Sequence, residues 1–242
     1  MSDLGSLESV VTMAEALVSV CPPGSAIDVA EKVRALGFDG LYVDVNAVSP
    51  DTARRIGELF ARFVDGGIVG PPPEPRPATR DRSAPAADTR LYLSGEEASV
   101  VAEWFAGSAV DARVVGPEPG RASAVKMAYA AWTKGSSALL LSVAALAGSE
   151  EVTGELFDEW DSSLPELRER LEQVSGRIGR KAWRFVAEME EIARTYGDAG
   201  LPDGFHIAAA DIYARLADLK GHLSEQNVEE ISRLLLDRDG GP

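Results

Sequence analysis

The chain of 242 residues is poor in cysteine, in histidine and in basic charge. Its single cysteine, Cys21, excludes an internal disulfide and any cysteine-based metal cluster. The two histidines, His206 and His222, are too few and too separated to suggest a zinc site, so no metal is expected. Lys and Arg number 24 against 39 Asp and Glu, a formal net charge of −15. Such a chain repels phosphate backbones, and nucleic acid is not an expected partner. The acidity reads as a solubility device on exposed helix faces. The longest uncharged apolar run, Ala138 to Ala147, is about half of the roughly 20 residues a membrane-crossing helix needs. Met1-Ser2-Asp3-Leu4 lacks the basic start of a secretory signal. A soluble, cytoplasmic protein without a membrane partner is therefore expected. Apolar residues make up 45%, enough for a sizeable core.

The first part of the chain alternates between strand and helix patterns. Leu17 to Cys21 is a short apolar run stopped by Pro22-Pro23-Gly24, which suits a buried strand and a loop. Ala26 to Leu36 has helical spacing, ended by Gly37. Leu41 to Asn46 reads as the next strand. Ser49-Pro50-Asp51 then starts a helix to Phe60, with a capping serine and a first-turn proline. Arg62 to Asp65 is a third strand, and single helices between strands imply parallel neighbours. Gly66 to Asp88 reads as one long loop, with Pro71, Pro72, Pro73, Pro75, Pro77 and Pro85. Leu91 to Leu93 returns to strand, Ser94-Gly95-Glu96-Glu97 forms a capping-box pattern for a helix through Phe105, and Ala112 to Val115 is a last strand. From Gly120 onward only helices are expected: Arg121–Ala147, Glu151–Trp160, Leu164–Val174, Lys181–Tyr196, Gly204–Leu219 and Glu225–Leu236, with a frayed tail from Asp237. The expected architecture is α/β then all-α, a partial Rossmann-type parallel sheet over 1–116 and a helical domain over 117–242.

Several stretches could carry chemistry. In open parallel sheets, ligands bind beyond the carboxyl ends of the strands. Cys21-Pro22-Pro23 and Asn46 to Ser49 fall there, although both also read as plain strand-to-helix turns. In Asp65-Gly66-Gly67-Ile68-Val69-Gly70, adjacent glycines after a strand can admit a ligand and offer it amides, or merely start a flexible loop. Lys126 stands among Ala122, Ala124, Val125, Met127 and Ala128. A lysine partly desolvated there could exchange a proton near neutral pH, while a surface lysine snorkelling from a packed helix is the alternative. Ser123, Thr133 and Ser137 share its helix face, and Lys134 is rotated away from it. Trp132, Trp160, Trp183, Phe185 and Tyr196 read as helix-packing core. Glu188, Glu190 and Glu191 read as a solvated acidic face, or as a carboxylate pair if one turns inward. His206 reads as a satisfied structural histidine or a proton carrier.

Taken in order, these stretches resemble the β-hydroxyacid dehydrogenase superfamily, specifically its phosphogluconate-dehydrogenase-like members, from about Leu7 to Lys220. Asp65 to Gly70 is similar to the family's substrate-binding glycine signature. Gly120 to Lys126 is similar to the segment that presents its lysine. Val20 to Pro23 and Val43 to Asn46 resemble the loops at the nicotinamide end of the cofactor. The resemblance implies an NAD(P)-dependent oxidoreductase, usually dimeric, acting on a small hydroxy, oxo or imine substrate. Lys126 would be catalytic. Cys21, Pro22, Pro23 and Asn46 would meet NADP or NAD, and Asn46, Gly66, Gly67, Ser123, Tyr129 and Thr133 would meet the substrate. Two departures stand out. Ala130 occupies the place of the family's asparagine one turn after the lysine, and Glu190-Glu191 stand where a Lys-Asp pair is usual. No Gly-x-Gly-x-x-Gly occurs, so the glycine-rich βαβ unit is missing and an N-terminally shortened form is expected, because a sheet lacking its central strand would expose apolar edges. Alternatives to the enzyme are a non-catalytic dimeric interaction protein that has lost cofactor binding, and a small-molecule-binding module without hydride transfer.

Overall fold

The structure, a computed structural model, describes residues 3–73, 89–220 and 227–237. His222, Pro75, Pro77, Pro85, the expected helix start at Glu225 and the tail 238–242 lie outside the described residues. By its internal contacts the chain divides into two compact units, Met1–Tyr129 and Ala130–Pro242. That division falls inside a helix, whereas the boundary expected near Gly116-Pro117 coincides with the end of the last strand.

The first unit contains α1 (Leu7–Met13), β1 (Ala16–Ser19), a 3-10 turn (Pro23–Ser25), α2 (Ala26–Ala35), β2 (Leu41–Asp44), α3 (Pro50–Gly57), β3 (Phe63–Val69), β4 (Thr89–Ser94), α4 (Ala98–Glu103), β5 (Val110–Gly116) and the start of α5 (Arg121–Ser149). The local signals explain most of these limits. Gly37, at φ +83°, ends α2, and the Ser49 hydroxyl accepts from the Thr52 amide at 3.1 Å to cap α3. The five strands lie in the order β1-β2-β3-β4-β5. Parallel pairing holds wherever a helix joins neighbours, at β1–β2, β2–β3 and β4–β5. β3 and β4 run antiparallel. Tyr42, with Leu17, Ala30, Val33 and Ile56, fills one face of the sheet, and it stacks on Phe60 with ring centroids 4.1 Å apart. Leu41 and Val43, with Val64, Leu93 and Val101, fill the other.

Two expectations are corrected here. Gly66 to Val69 do not open a loop but continue β3, pairing with Leu93, Tyr92, Leu91 and Arg90. A Cβ on Gly67 would stand 2.8 Å from the Lys126 Cβ and 3.0 Å from the Ala122 carbonyl oxygen. The glycine is needed because α5 lies directly on the strand. Ser94 is likewise no capping residue for α4. It ends β4, Gly95 turns the chain at φ +129°, and α4 begins only at Ala98 without a side-chain cap.

The second unit holds the remainder of α5 and α6 (Thr153–Ser163), α7 (Glu166–Ile178), α8 (Ala182–Asp198), α9 (Gly204–Arg215), a 3-10 turn (Ala217–Leu219) and α10 (Val228–Leu236). Leu171, Met189, Ile192, Tyr213, Leu216 and Ile231 are fully buried. Trp160 stacks on Phe157, Phe185 meets Tyr213 edge-on, and Tyr196 packs on His206. Trp132, expected in this core, is instead 70% exposed. With Leu139 and Leu146 it recurs at seven-residue spacing along the outer side of α5, while Ala138, Leu141 and Ala145 turn inward. The acidic face is corrected too: Glu188 and Glu191 are buried, and Glu188 accepts from Lys134 Nζ at 2.8 Å. Among the described residues α5 is long and apolar enough, by length and composition, to cross a membrane, contrary to the reading of Ala138–Ala147 as too short. Half of its most apolar window is buried inside the protein.

Gly67→Ala should destabilise the fold by about 1–3 kcal/mol, because the added methyl group must displace α5. Urea unfolding of the two proteins tests this, and an unchanged midpoint would show that the helix is free to move.

Candidate active site

Ser19, Asp44, Asp65 and Ser94 are register partners across β1, β2, β3 and β4. Each is 4% exposed or less. Partners in a ladder point to the same face, so these side chains form one buried polar rung across four strands. Asp65 and Gly67 share that face, and so α5 lies over it.

Asp65 anchors the helix. Its Oδ2 accepts from the amides of Gly120 at 2.9 Å and Ser123 at 3.0 Å, and from the Ser94 hydroxyl at 3.0 Å. Its Oδ1 accepts from the Ser123 hydroxyl at 2.6 Å. The Ser94 oxygen in turn accepts from the Ala122 amide at 3.0 Å. The amides of Ala122 and Ser123 in the first turn and of Gly120 just before it, which have no partner within the helix, are thus satisfied by the sheet, with a carboxylate at the positive end of the helix dipole.

Asp44 occupies the other half of the rung. Asn46 Nδ2 donates to Asp44 Oδ1 and, at 3.1 Å, to the Ser19 hydroxyl. Asn46 Oδ1 accepts from the Cys21 amide at 2.6 Å. Asn46 therefore ties the loop after β1 to the end of β2. Asp44 Oδ2 has no hydrogen-bond partner among the described residues. Burial, reinforced by the neighbouring Asp65, pushes the Asp44 carboxyl up from 3.8 to about 7. Burial also pushes the Cys21 thiol up, with Asp44 adding to it.

The structure brings some of the expected site residues together and withdraws others. Lys126, half-buried, follows Ser123 by one helical turn and lies over Gly67. Tyr129, one further turn on, is 47% exposed. Pro22 is exposed, with Cys21 and Pro23 half-buried beside it. Asn46 and Ser123 are buried and bonded within the protein, to Cys21 and to Asp65. Gly66 and Gly67 lie inside the β3–β4 ladder. Thr133 belongs to the second unit, where its carbonyl accepts from Ser137 at 2.8 Å. His206 is also there, buried, with its Nδ1 lacking a partner among the described residues, so it is not the satisfied histidine expected. Burial pushes its imidazole down, towards the neutral form. Among the described residues no three His, Cys, Asp or Glu side chains are grouped to hold a metal ion.

Comparison with known proteins places this geometry. Residues 147–216 match a family model described as a domain of unknown function, DUF1932. The chain is 30% identical over 155 residues to an uncharacterised 28.5 kDa protein in the 7S RNA 5′ region of Methanothermus fervidus, a match spanning 62% of this chain and 55% of that protein. Among solved structures, a conserved hypothetical protein from Sinorhizobium meliloti 1021 superposes with a TM-score of 0.64 at 24% identity, covering 95% of this chain and 76% of that one. The conserved protein MTH1747, of unknown function and described as structurally similar to 3-hydroxyacid dehydrogenases, gives 0.61 at 28% identity over 88% and 79% of the two chains. The fold is that of the 3-hydroxyacid dehydrogenases. A 3-hydroxyisobutyrate dehydrogenase from Salmonella typhimurium shares this dehydrogenase fold, with a TM-score of 0.56 at 14% identity over 95% of this chain and 82% of that one. The resemblance read from the sequence is thereby borne out, as is a mostly parallel sheet followed by helices.

Reading the sequence alone missed the roles of Ser19, Asp44, Asp65 and Ser94. For Ser19, Asp44 and Asp65 the signal was available: each is a polar residue in or closing an otherwise apolar strand.

Asp65→Asn should destabilise the chain by about 3–5 kcal/mol or prevent folding, since an amide turns donors towards donors. A second test uses pH. The Asp44 carboxyl, raised to about 7 in the fold, binds a proton that the unfolded chain releases near 3.8. Its contribution to stability is complete below the lower value and is lost as pH rises through the higher one. Unfolding free energies at about pH 5 and about pH 8 should therefore fall with pH, and the fall should shrink in Asp44→Asn. An equal fall in both proteins would assign the titration elsewhere.

Proposed function

We propose that the protein is an NAD(P)-dependent oxidoreductase acting on a small hydroxy, oxo or imine substrate, with Lys126 carrying the proton of the reacting heteroatom. The observation that carries this reading is the seating of Lys126 directly over Gly67, on a helix anchored one turn earlier by Asp65. A proton carrier gains most from being held close to the reacting atom in a fixed orientation, and the Asp65 anchor supplies that constraint. The similarity in fold to dehydrogenases supports the same reading.

The loop after β1 fits the nicotinamide end of a cofactor. Pro22 faces solvent, the adjoining prolines make a stiff and partly apolar ledge, and Asn46 locks its backbone at Cys21. NADP or NAD, when bound, would supply or take up the hydride. Cys21, Pro22 and Pro23 would form the contact surface, with Asn46 a positioning residue behind them. Ser123 is likewise a positioning residue, acting through the helix that carries Lys126. Tyr129 would orient the substrate, while Gly67 acts indirectly, by letting the helix that bears Lys126 come down on β3. Lys126 Nζ would donate its proton to the heteroatom in reduction and take it up in oxidation. The protein would work in the cytoplasm as a homodimer.

A second reading, a non-catalytic dimer, is favoured by one observation: Trp132, Leu139 and Leu146 are 70%, 48% and 61% exposed along α5.

Calorimetric titration with NADPH and NADH, followed by turnover of a substrate panel, tests both readings. Lys126→Ala should lower turnover by about a hundredfold or more, with cofactor binding and the far-ultraviolet dichroism retained. Turnover that survives the substitution would remove Lys126 from the mechanism, and failure to bind either nucleotide would favour the interaction reading.

A further inference from the structure

Two acids meet in the interior of the first unit. Asp44 and Asp65 are register partners on β2 and β3, and neither has any exposed surface. Ladder partners point to one face, so their carboxyls are neighbours. Two buried negative charges side by side are costly, and a proton on one of them removes most of that cost. Hydrogen bonding decides which acid holds it. Asp65 faces four donors, the amides of Gly120 and Ser123 and the hydroxyls of Ser123 and Ser94, a setting made for a carboxylate. Asp44 Oδ1 accepts from Asn46 Nδ2, but its Oδ2 has no partner among the described residues. The proton therefore belongs to Asp44. Burial first, then Asp65, lifts this carboxyl to about 7 against the opposing pull of Asn46 and Ser19.

Each acid is tied to a different half of the candidate site. Asn46 Nδ2 is held by Asp44 and by the Ser19 hydroxyl, which leaves Asn46 Oδ1 to accept from the Cys21 amide at 2.6 Å and to hold the loop after β1. Asp65 holds the start of α5. Charge on Asp44 acts on both. Ionised, it draws the Asn46 amide more strongly, as a charged acceptor does, and it repels the carboxylate that anchors Gly120 and Ser123. The other titratable groups around it do not cancel this. Tyr42 on the same strand and Cys21 on the β1 loop are raised, by burial chiefly and by Asp44 in addition. Lys126 of α5 lies over Gly67, and Arg54 of α3 lies beside Gly120 and pairs with Asp51 at 3.8 Å. Neither cation is among the influences on Asp44.

We propose that Asp44 is a proton-sensitive tie between the two halves of the site, so that gain or loss of one proton on its carboxyl resets both the Asn46 clasp on the β1 loop and the Asp65 anchor of α5. Asp44 acts through Asn46 and Asp65 and is a positioning residue. What the change does to a cofactor on the proline ledge, or to Lys126, rests on the function proposed above; the coupling itself does not.

Nuclear magnetic resonance of the full chain without nucleotide, from about pH 5 to about pH 8.5, tests this. The carboxyl carbon of Asp44 should titrate near neutral pH, and the amides of Cys21, Gly120 and Ser123 should shift with the same midpoint. Asp44→Asn, an uncharged stand-in for the protonated acid, should abolish all three amide titrations. Asn46→Ala should silence Cys21 alone and leave Gly120 and Ser123 titrating. An Asp44 midpoint in the ordinary aspartate range, roughly 4, would overturn the proposal. So would three unrelated amide midpoints, amide profiles unchanged in Asp44→Asn, or a Cys21 profile unchanged in Asn46→Ala. If Asp44→Asn does not fold, the carboxyl and amide midpoints of the native chain decide the matter by themselves.

Discussion

The carboxylate of Asp65 is the constraint on which the rest of the first unit depends. Four donors converge on its two oxygens, three of them from the first turn of α5 and its preceding residue. A helix of 29 residues carries a substantial positive end, and here that end is fixed to the middle strand of a five-stranded sheet. The neighbouring requirements follow from this one. Gly67 must lack a side chain for the helix to come down on the strand, and Ser94 must leave helix capping to bridge Asp65 and Ala122. Asp44, the register partner of Asp65, must share a buried rung with a second acid, and its carboxyl rises accordingly.

The same rung explains how the two parts of the candidate site are related. On one side Asn46 binds Ser19, Asp44 and Cys21 into a clasp that holds the proline ledge. On the other, Asp65 and Ser94 hold the helix that bears Lys126. Neither Asn46 nor Ser123 is left to reach far into solvent, because each already spends its hydrogen-bonding capacity inside the protein. Buried polar groups of this kind are satisfied by one another, and their product is a rigid frame.

Much of the architecture was legible from the chain. Gly37, Ser49-Pro50 and the apolar runs at Leu17 and Leu41 marked their elements through local chemistry, and the order of the loops and of Lys126 carried the fold resemblance. What was not legible depended on contacts distant in sequence. Gly66-Gly67 have the composition of a loop, and only their pairing with Leu93 and Tyr92 of β4 makes them strand. Ser94-Gly95-Glu96-Glu97 has a capping pattern, but its serine is drawn to Asp65, 29 residues away. Trp132 has the character of a core residue, yet its angular position on α5 turns it outward.

The separation of Asp65 from its helix partners also bears on how the chain reaches its native state. Gly120 and Ser123 lie 55 and 58 residues beyond the carboxylate they bind. Closing a loop of that size costs conformational entropy that no local contact returns. α5 is rich in good helix formers and can begin to coil early, but the amides of Gly120 and Ser123 acquire their partner only when β3 is brought to them. Until then Asp65 is a charged group on an apolar strand, which opposes premature burial of β3. The residue that locks the finished sheet to its helix thus also delays the collapse of the unfinished one.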